Sequence, residues 1–440
     1  MAKVVEILDS IMSSGKTTAI IDWMDKNPQE KYIYVSPNLS EVVDRIPNSS
    51  KLDFISPSVD EFNSTKLEHL NSLLLEGKHI CCTHKLYLSM NNFSMDLIAS
   101  RGYTVILDEE IDVMQSYKGY SFKDVQWLMK EGYIKQNESD GSVDWIKDDE
   151  LLNSSDHRYF YCKNLCDKKA LYLTRFDINS VKAKSVMMVT QIPVRLLECA
   201  KRVIVLSYLF KGSILDCFLK LKGFEIKDFT DVTVEYKRPS YFKDLITVVP
   251  PEDLKNFNLT SYWWEHKSTE KDGISKVQNY ILRNARKYSN GDNRLVCWTI
   301  PKDRAKGVST ASKTTKLVNP VGYVFSKEKV EDENNEDKTK TVKTPCWLAQ
   351  NTRATNNFAH KTVMIHCYNR YPLQDIASYL EDYNCKLDDD VFALSELLQW
   401  AYRGCVRKNQ KMTLCIGSKR MYDLFQNWIN ERPLDYKESK

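Results

Sequence analysis

Apolar and polar positions along the first hundred residues follow two different periods. Val4–Leu8, Tyr32–Ser36, His79–Thr83 and Thr104–Leu107 are short apolar runs of strand length, whereas Thr17–Asp25 reads as helical. Buried strands that alternate with helical segments predict a parallel sheet with crossover helices. Ligands of such sheets bind beyond the carboxyl ends of the strands. Ser10, Ser36, Thr83 and Asp108 all stand at such ends.

From Asp112 to Ser180 the pattern becomes irregular and polar, with Asn, Asp and Lys gathered around Gln136–Asp156. An insertion of about residues 116–177 in the first domain is the expectation. Val203–Leu206 resumes the sheet, and a linker is expected within Phe229–Pro239. The second half repeats the alternation at Leu295–Thr299, Val363–Cys367 and Met412–Ile416. Ser326–Thr344 is almost wholly charged or polar and reads as a mobile loop or a hairpin tip. A chain of 440 residues exceeds what one core organises, so two α/β domains are expected, 1–232 and 233–440.

Composition narrows this little. Hydrophobic residues at 42% and charged residues at 28% are ordinary for a globular protein. A net charge of +4 permits a nucleic-acid partner without arguing for one. No apolar run reaches the ~18 residues of a membrane span. Glu6 and Asp9 interrupt the N-terminal apolar stretch, so no signal peptide is expected. The cytoplasm, or the host cytoplasm for a viral protein, is the expected location. The twelve cysteines include no Cys-x-x-Cys pair. Cys81 and Cys82 are vicinal, and His157, Cys162 and Cys166 match no common zinc spacing, so reduced thiols are expected.

The strongest chemistry lies in Ser10-Ile11-Met12-Ser13-Ser14-Gly15-Lys16-Thr17-Thr18, between a strand and a helix. A phosphate needs backbone N–H groups that converge on it, which a tight loop and a helix N-terminus supply. Ser13, Ser14, Gly15, Lys16, Thr17 and Thr18 are the expected ATP contacts: Gly15 permits close approach, Lys16 reaches the β/γ-phosphates, and Thr17 ligates Mg²⁺. Ser10 stands where the usual loop has its first Gly. A chance Ser-Gly-Lys-Thr in a turn is the bland alternative, against which the strand before and the helix after both argue.

Val105-Ile106-Leu107-Asp108-Glu109-Glu110 is an apolar strand that ends in carboxylates. Asp108 is expected to hold Mg²⁺ and Glu109 to polarise the attacking water, at a strand neighbouring that of the loop. Glu110 and Asp112 read as local hydrogen-bonding or surface residues. Gln399, Arg403 and Arg407 recur at four-residue spacing, which on one helix would place them on one face. Such arginines stabilise charge on a γ-phosphate, although on this segment alone a solvated basic face is the favoured reading.

Together these residues resemble the superfamily 2 DNA helicases, in particular the DEAD/DEAH-like helicases of bacteriophages. Ser14–Thr17 resembles motif I, Asp108–Ile111 motif II, Leu206–Leu209 a degenerate motif III, and Gln399, Arg403 and Arg407 motif VI, with Arg407 one residue beyond the family's spacing. Ser36-Pro37-Asn38 and Thr83-His84-Lys85 resemble motifs Ia and Ib, Leu295–Lys302 motif IV, and Asn351–Asn357 motif V. Superfamily 1 normally carries Gly-Asp-x-x-Gln after a strand, where this chain has Ser207.

The resemblance implies two RecA-like (P-loop NTPase) domains with parallel sheets and ATP bound between them. It implies catalytic roles for Lys16, Glu109, Gln399, Arg403 and Arg407, and motif III coupling ATP state to strand grip. It also implies nucleic-acid contacts at Ser36, Pro37, Asn38, Thr83, His84, Thr352 and Arg353. The implied partner is single-stranded or forked DNA, with RNA left open, and other replication proteins could join a monomeric motor. Lys302, Arg304, Lys306, Lys313 and Lys316 form a basic stretch suited to a strand or to solvent, and the Trp263–Trp264 pair reads as core or as a base-stacking wedge. A phage DNA-packaging (terminase-like) ATPase would need nuclease carboxylates at strand ends, whereas Asp388–Asp390 lies in a polar run before a helix. A non-unwinding, nucleotide-switched DNA-binding accessory protein is the other alternative.

Overall fold

The computed structural model describes residues 3–59, 65–147, 157–176, 187–332, 335–350 and 357–433. The chain divides into two compact units. The first comprises Met1–Ser10, Gly15–Glu235 and Pro372–Asp388, and the second comprises Ile11–Ser14, Tyr236–Tyr371 and Asp389–Lys440.

In the first unit the strands are β1 (Val4–Asp9), β2 (Lys31–Ser36), β3 (Phe54–Ile55), β4 (His79–Thr83), β5 (Tyr103–Asp108), β6 (Met114–Tyr117), β7 (Ile134–Gln136), β8 (Val143–Trp145), β9 (Leu171–Leu173), β10 (Met188–Gln191), β11 (Arg202–Ser207) and β12 (Glu225–Asp228). Seven of them form one parallel sheet in the order β12-β1-β11-β5-β2-β4-β3. Successive residues of a strand serve opposite faces. Val5, Ile7, Val35, Val105, Leu107, Val203 and Val205 enter one apolar cluster. Leu8, Tyr32, Tyr34, Ile106, Ile204 and Leu206 enter another, under the helix Lys16–Lys26 through Ile20, Ile21 and Met24. Both faces are covered, which explains why these strands read as unbroken apolar runs.

The helices begin and end where local chemistry dictates. Lys66–Glu76 opens on a capping box of Thr65 and Glu68 and closes at Gly77, whose φ of 73° a side chain resists. The insertion is antiparallel: β6-β10-β9 form one small sheet and β7-β8 a hairpin. It therefore reaches from Met114 to Gln191, beyond the 116–177 expected.

A second correction concerns domain bounds. Residues Pro372–Asp388 pack with the first unit, so 233–440 is not one continuous domain. The helix Gln374–Asp382 brings Ile376, Tyr379 and Leu380 into the first unit's core, and the Tyr379 hydroxyl donates to the Asp140 carbonyl at 2.6 Å. Its amphipathic pattern shows a buried face but not which core receives it.

The second unit holds a parallel sheet ordered β13-β18-β17-β14, made from β13 (Ile246–Val249), β14 (Val296–Thr299), β17 (Val363–His366) and β18 (Met412–Ile416). Between β14 and β17, β15 (Phe325–Asp332) pairs with β16 (Asn335–Pro345). The polar stretch 326–344 is thus a hairpin. Trp263 and Trp264 are core: 6% and 1% exposed, edge to face at 5.0 Å. Lys302, Lys306, Lys313 and Lys316 are exposed on a surface segment. Among the described residues, no helix is long and apolar enough to cross a membrane.

Candidate nucleotide site

The carboxyl edge of the first sheet gathers the chemistry. Register pairs Asp9 with Ser207, Leu206 with Asp108, and Ser36 with Thr83, so the ends of β1, β11, β5, β2 and β4 form one row. The sequence spacing suggested that the loop strand β1 and the acidic strand β5 are neighbours, and they are not. β11 lies between them and carries Ser207 into the gap.

The loop after β1 turns through Ser13 at φ 60° and Gly15 at φ 82°, and Gly15 is the N-cap of the helix Lys16–Lys26. A Cβ on Gly15 would meet nothing within 4 Å, so the space over this helix N-terminus is open. The Ser14 side chain is buried, and its N–H donates to the Ile11 carbonyl at 3.3 Å. Lys16 turns its ammonium onto the Ser10 carbonyl. Burial lowers its pKa to about 8, against the opposing pull of the Asp108, Asp9 and Glu109 carboxylates.

Asp108 closes β5 partly buried, and its desolvation raises its pKa to about 6; the Tyr34 hydrogen bond and Lys16 oppose that, while Glu109 and Glu41 add to it. Glu109 sits at φ 69°, a left-handed conformation that costs a side-chain-bearing residue of order 1 kcal/mol, and its N–H donates to the Leu206 carbonyl at 3.1 Å. Glu110 accepts from the Ser207 hydroxyl at 2.6 Å, the local role expected of it. Asp9, which sequence reasoning left out, accepts from the Phe210 N–H at 3.1 Å and is raised in pKa mainly by burial. Tyr34 was missed too: its hydroxyl donates to Asp108 Oδ2 at 2.6 Å and is also hydrogen-bonded to Thr17. Asp9 had no sequence signal beyond its place at a strand end, and Tyr34 none beyond its place in an apolar strand.

These donors fit MgATP. A lysine and the N–H groups of a helix N-terminus suit phosphates, and a hydroxyl with one carboxylate suits Mg²⁺, which keeps several waters and phosphate oxygens in its shell.

The expected nucleic-acid contacts are partly occupied by local structure. Ser36 is buried and its hydroxyl accepts from the Asn38 N–H at 3.4 Å, while the Asn38 side chain accepts from the Ser40 N–H at 3.1 Å. Thr83 caps the helix His84–Leu88, and a His84 ring nitrogen lies 3.0 Å from the Asp108 carbonyl. Pro37 lies in the same turn. Thr352 and Arg353, with most of the motif V segment, lie outside the described residues.

Gln399, Arg403 and Arg407 do not share a helical face. The helix Asp389–Ala401 ends before Arg403, and Arg407 falls in a separate turn, Cys405–Lys408. Between them Gly404 is extended, at φ −74° and ψ −173°, and stands where a Cβ would crowd Met412, Met364 and the Lys361 carbonyl. Gln399 bonds Ser395 at 3.3 Å, and Arg403 is 8% exposed. Within the acidic run, Asp390 is engaged by Arg420 at 2.6 Å.

The fold and this strand edge define an α/β chain with two parallel sheets and small antiparallel insertions, the architecture of XPD helicase structures. A solved structure described as "XPD_APO" matches with a TM-score of 0.50 at 12% identity, covering 98% of this chain and 96% of that one. Another, described as "XPD_Helicase", gives 0.49 at 11% identity, covering 97% and 94%. By sequence, the "SPbeta prophage-derived uncharacterized protein YonV" of Bacillus subtilis (strain 168) is 27% identical, over 97% of this chain and 99% of that protein. Residues 241–429 match the family model "YonV C-terminal Rossmann-like domain".

Proposed function

We propose that this chain is an ATP-dependent DNA helicase or translocase, a nucleic-acid-stimulated ATPase. The observation that carries the reading is the convergence of Lys16, Asp108 and Glu109 beside the open N-terminus at Gly15. Gly15 and Lys16, with Ser13, Ser14, Thr17 and Thr18, bind the triphosphate. Thr17 and Asp108 hold Mg²⁺, which neutralises phosphate charge when bound. Glu109 orients the attacking water, and Arg403 or Arg407 stabilises the charge that develops. Single-stranded or forked DNA is the proposed track, held through phosphate contacts and therefore salt-sensitive. The prophage-derived relative supports a phage setting, in which DNA replication or recombination is the proposed role.

The test is turnover of MgATP by the purified chain with and without single-stranded DNA, followed by unwinding of forked, 5′-tailed and 3′-tailed duplexes. DNA-stimulated hydrolysis is the expected result. ATP binding without hydrolysis would favour a nucleotide-switched accessory protein, and Mn²⁺-dependent DNA cleavage a packaging enzyme. Separate Arg403→Ala and Arg407→Ala variants identify the finger; full activity in both would remove that assignment.

A further inference from the structure

Tyr34 stands on β2 between Ile106 of β5 and Cys81 of β4, and is wholly buried. Its ring belongs to the apolar cluster of Ile20, Ile21, Met24 and Ile204. A phenylalanine would fill that space as well, so packing alone does not call for the hydroxyl. Buried tyrosine hydroxyls usually find a partner. Here both described partners are the same two groups proposed to meet the cation. The phenol donates to Asp108 Oδ2 at 2.6 Å, and the Thr17 hydroxyl is hydrogen-bonded to the phenol oxygen.

The chemistry of the three groups is complementary. A hydroxyl that coordinates a cation through a lone pair keeps its proton, and that proton needs an acceptor. The Tyr34 oxygen is such an acceptor for Thr17. The phenol has one proton of its own, which goes to Asp108 Oδ2 and leaves Oδ1 free for the hydration shell of a metal. Glu41 also faces this group from the segment that follows β2, where Arg45 holds it with contacts of 2.9 and 3.1 Å.

The geometry points to Tyr34 as a positioning residue for a divalent cation, one phenol that fixes the rotamers of the Thr17 hydroxyl and the Asp108 carboxylate together. This deepens the nucleotide reading of the site and rests on it. Partners that orient metal ligands in this way typically affect metal affinity by 10–100-fold when removed.

The test compares wild type with Tyr34→Phe using a fluorescent ATP analogue, titrated with Mg²⁺ and separately measured in EDTA. Bound Mn²⁺ is counted by electron paramagnetic resonance. The expected result is unchanged affinity in EDTA, with the Mg²⁺ concentration for half-maximal binding raised about tenfold and Mn²⁺ occupancy lowered to match. Superimposable metal titrations would overturn the role. So would equal losses with and without metal, which mark a packing defect. Wild type that binds no nucleotide at all would overturn the site reading and this role with it, so the two failures are distinguishable. Should Tyr34→Phe fail to fold, with the Asp108 charge left without its donor, the comparison moves to Asp108→Asn and the Asp108→Asn/Tyr34→Phe double variant. There the phenol acts only through Thr17, so its removal is expected to raise the Mg²⁺ requirement by clearly less than tenfold; an undiminished tenfold loss, or no change at all, would overturn the joint role.

Discussion

The Ser207 hydroxyl donates to the Glu110 carboxylate at 2.6 Å, which joins the end of β11 to the segment leaving β5. Ser207 is itself nearly buried, so the bond is shielded from water. Hydrogen bonds to a charged group contribute about 1.5–3 kcal/mol. β11 lies between the loop strand and the acidic strand, and on the proposed mechanism a change at either would be felt through Ser207. Ser207→Ala is expected to leave ATP affinity within about twofold and to reduce DNA stimulation of turnover by about tenfold or more. Steady-state ATPase with and without single-stranded DNA checks this, and an unchanged stimulation ratio would remove the coupling role.

Glu109 and Lys16 separate binding from chemistry. Glu109→Gln keeps the size of the side chain at a left-handed position that both residues occupy at similar cost. It is expected to bind ATP with wild-type affinity and to turn over about 10²–10⁴-fold more slowly. Lys16→Ala is expected to lose hydrolysis by about 10²–10³-fold while keeping the circular dichroism of wild type. Rapid single-turnover hydrolysis by the glutamine variant would mean that another group orients the water.

How much of this was visible in the sequence depends on whether the signal was local. The strand cores of the first sheet were legible because both of its faces are covered, so Val105–Leu107 and Val203–Leu206 had to be apolar without interruption. The loop was legible because its chemistry is contiguous. Strand order was not: β1 and β5 are separated by β11, which follows β5 in the chain by nearly a hundred residues of sequence, and no local pattern encodes that insertion. The helix carrying Gln399 was legible, but its end was not, since the extended backbone at Gly404 lies where a side chain would crowd Lys361 and Met364, far off in sequence. Tyr34 stayed hidden because a tyrosine in an apolar strand looks like core, and only its hydroxyl's position sets it apart.

Two shifted groups set a pH window. Burial, as the largest cause, raises Asp108 to about 6 and lowers Lys16 to about 8. Asp108 serves Mg²⁺ only as a carboxylate, so the Mg²⁺ requirement should rise as pH falls through about 6. Lys16 attracts phosphate only as an ammonium, so nucleotide affinity should fall as pH rises through about 8. The kcat/KM profile is therefore expected to be bell-shaped between those values, since it reports the free protein. Excess Mg²⁺ should restore the acid limb and leave the alkaline limb in place. An acid limb indifferent to Mg²⁺ would assign it to another group.

Gly404 offers a test that starts from packing alone. Its φ of −74° and ψ of −173° suit any residue, so backbone conformation does not require glycine here. Space does: a Cβ would stand 2.7 Å from Met412 Sδ, 3.1 Å from Met364 Cγ and 3.2 Å from the Lys361 carbonyl. The methionines can yield, but that carbonyl is held by the Cys405 N–H at 3.0 Å. Gly404→Ala is thus an overpacking change expected to cost about 1–3 kcal/mol, measured by denaturant unfolding of the second unit's signal. Arg403 precedes the glycine directly and would move with it. On the proposed mechanism, nucleotide binding by the Lys16 loop should survive while kcat falls. A variant with lowered stability and wild-type kcat would place the arginine outside the reaction, whatever its sequence resembles.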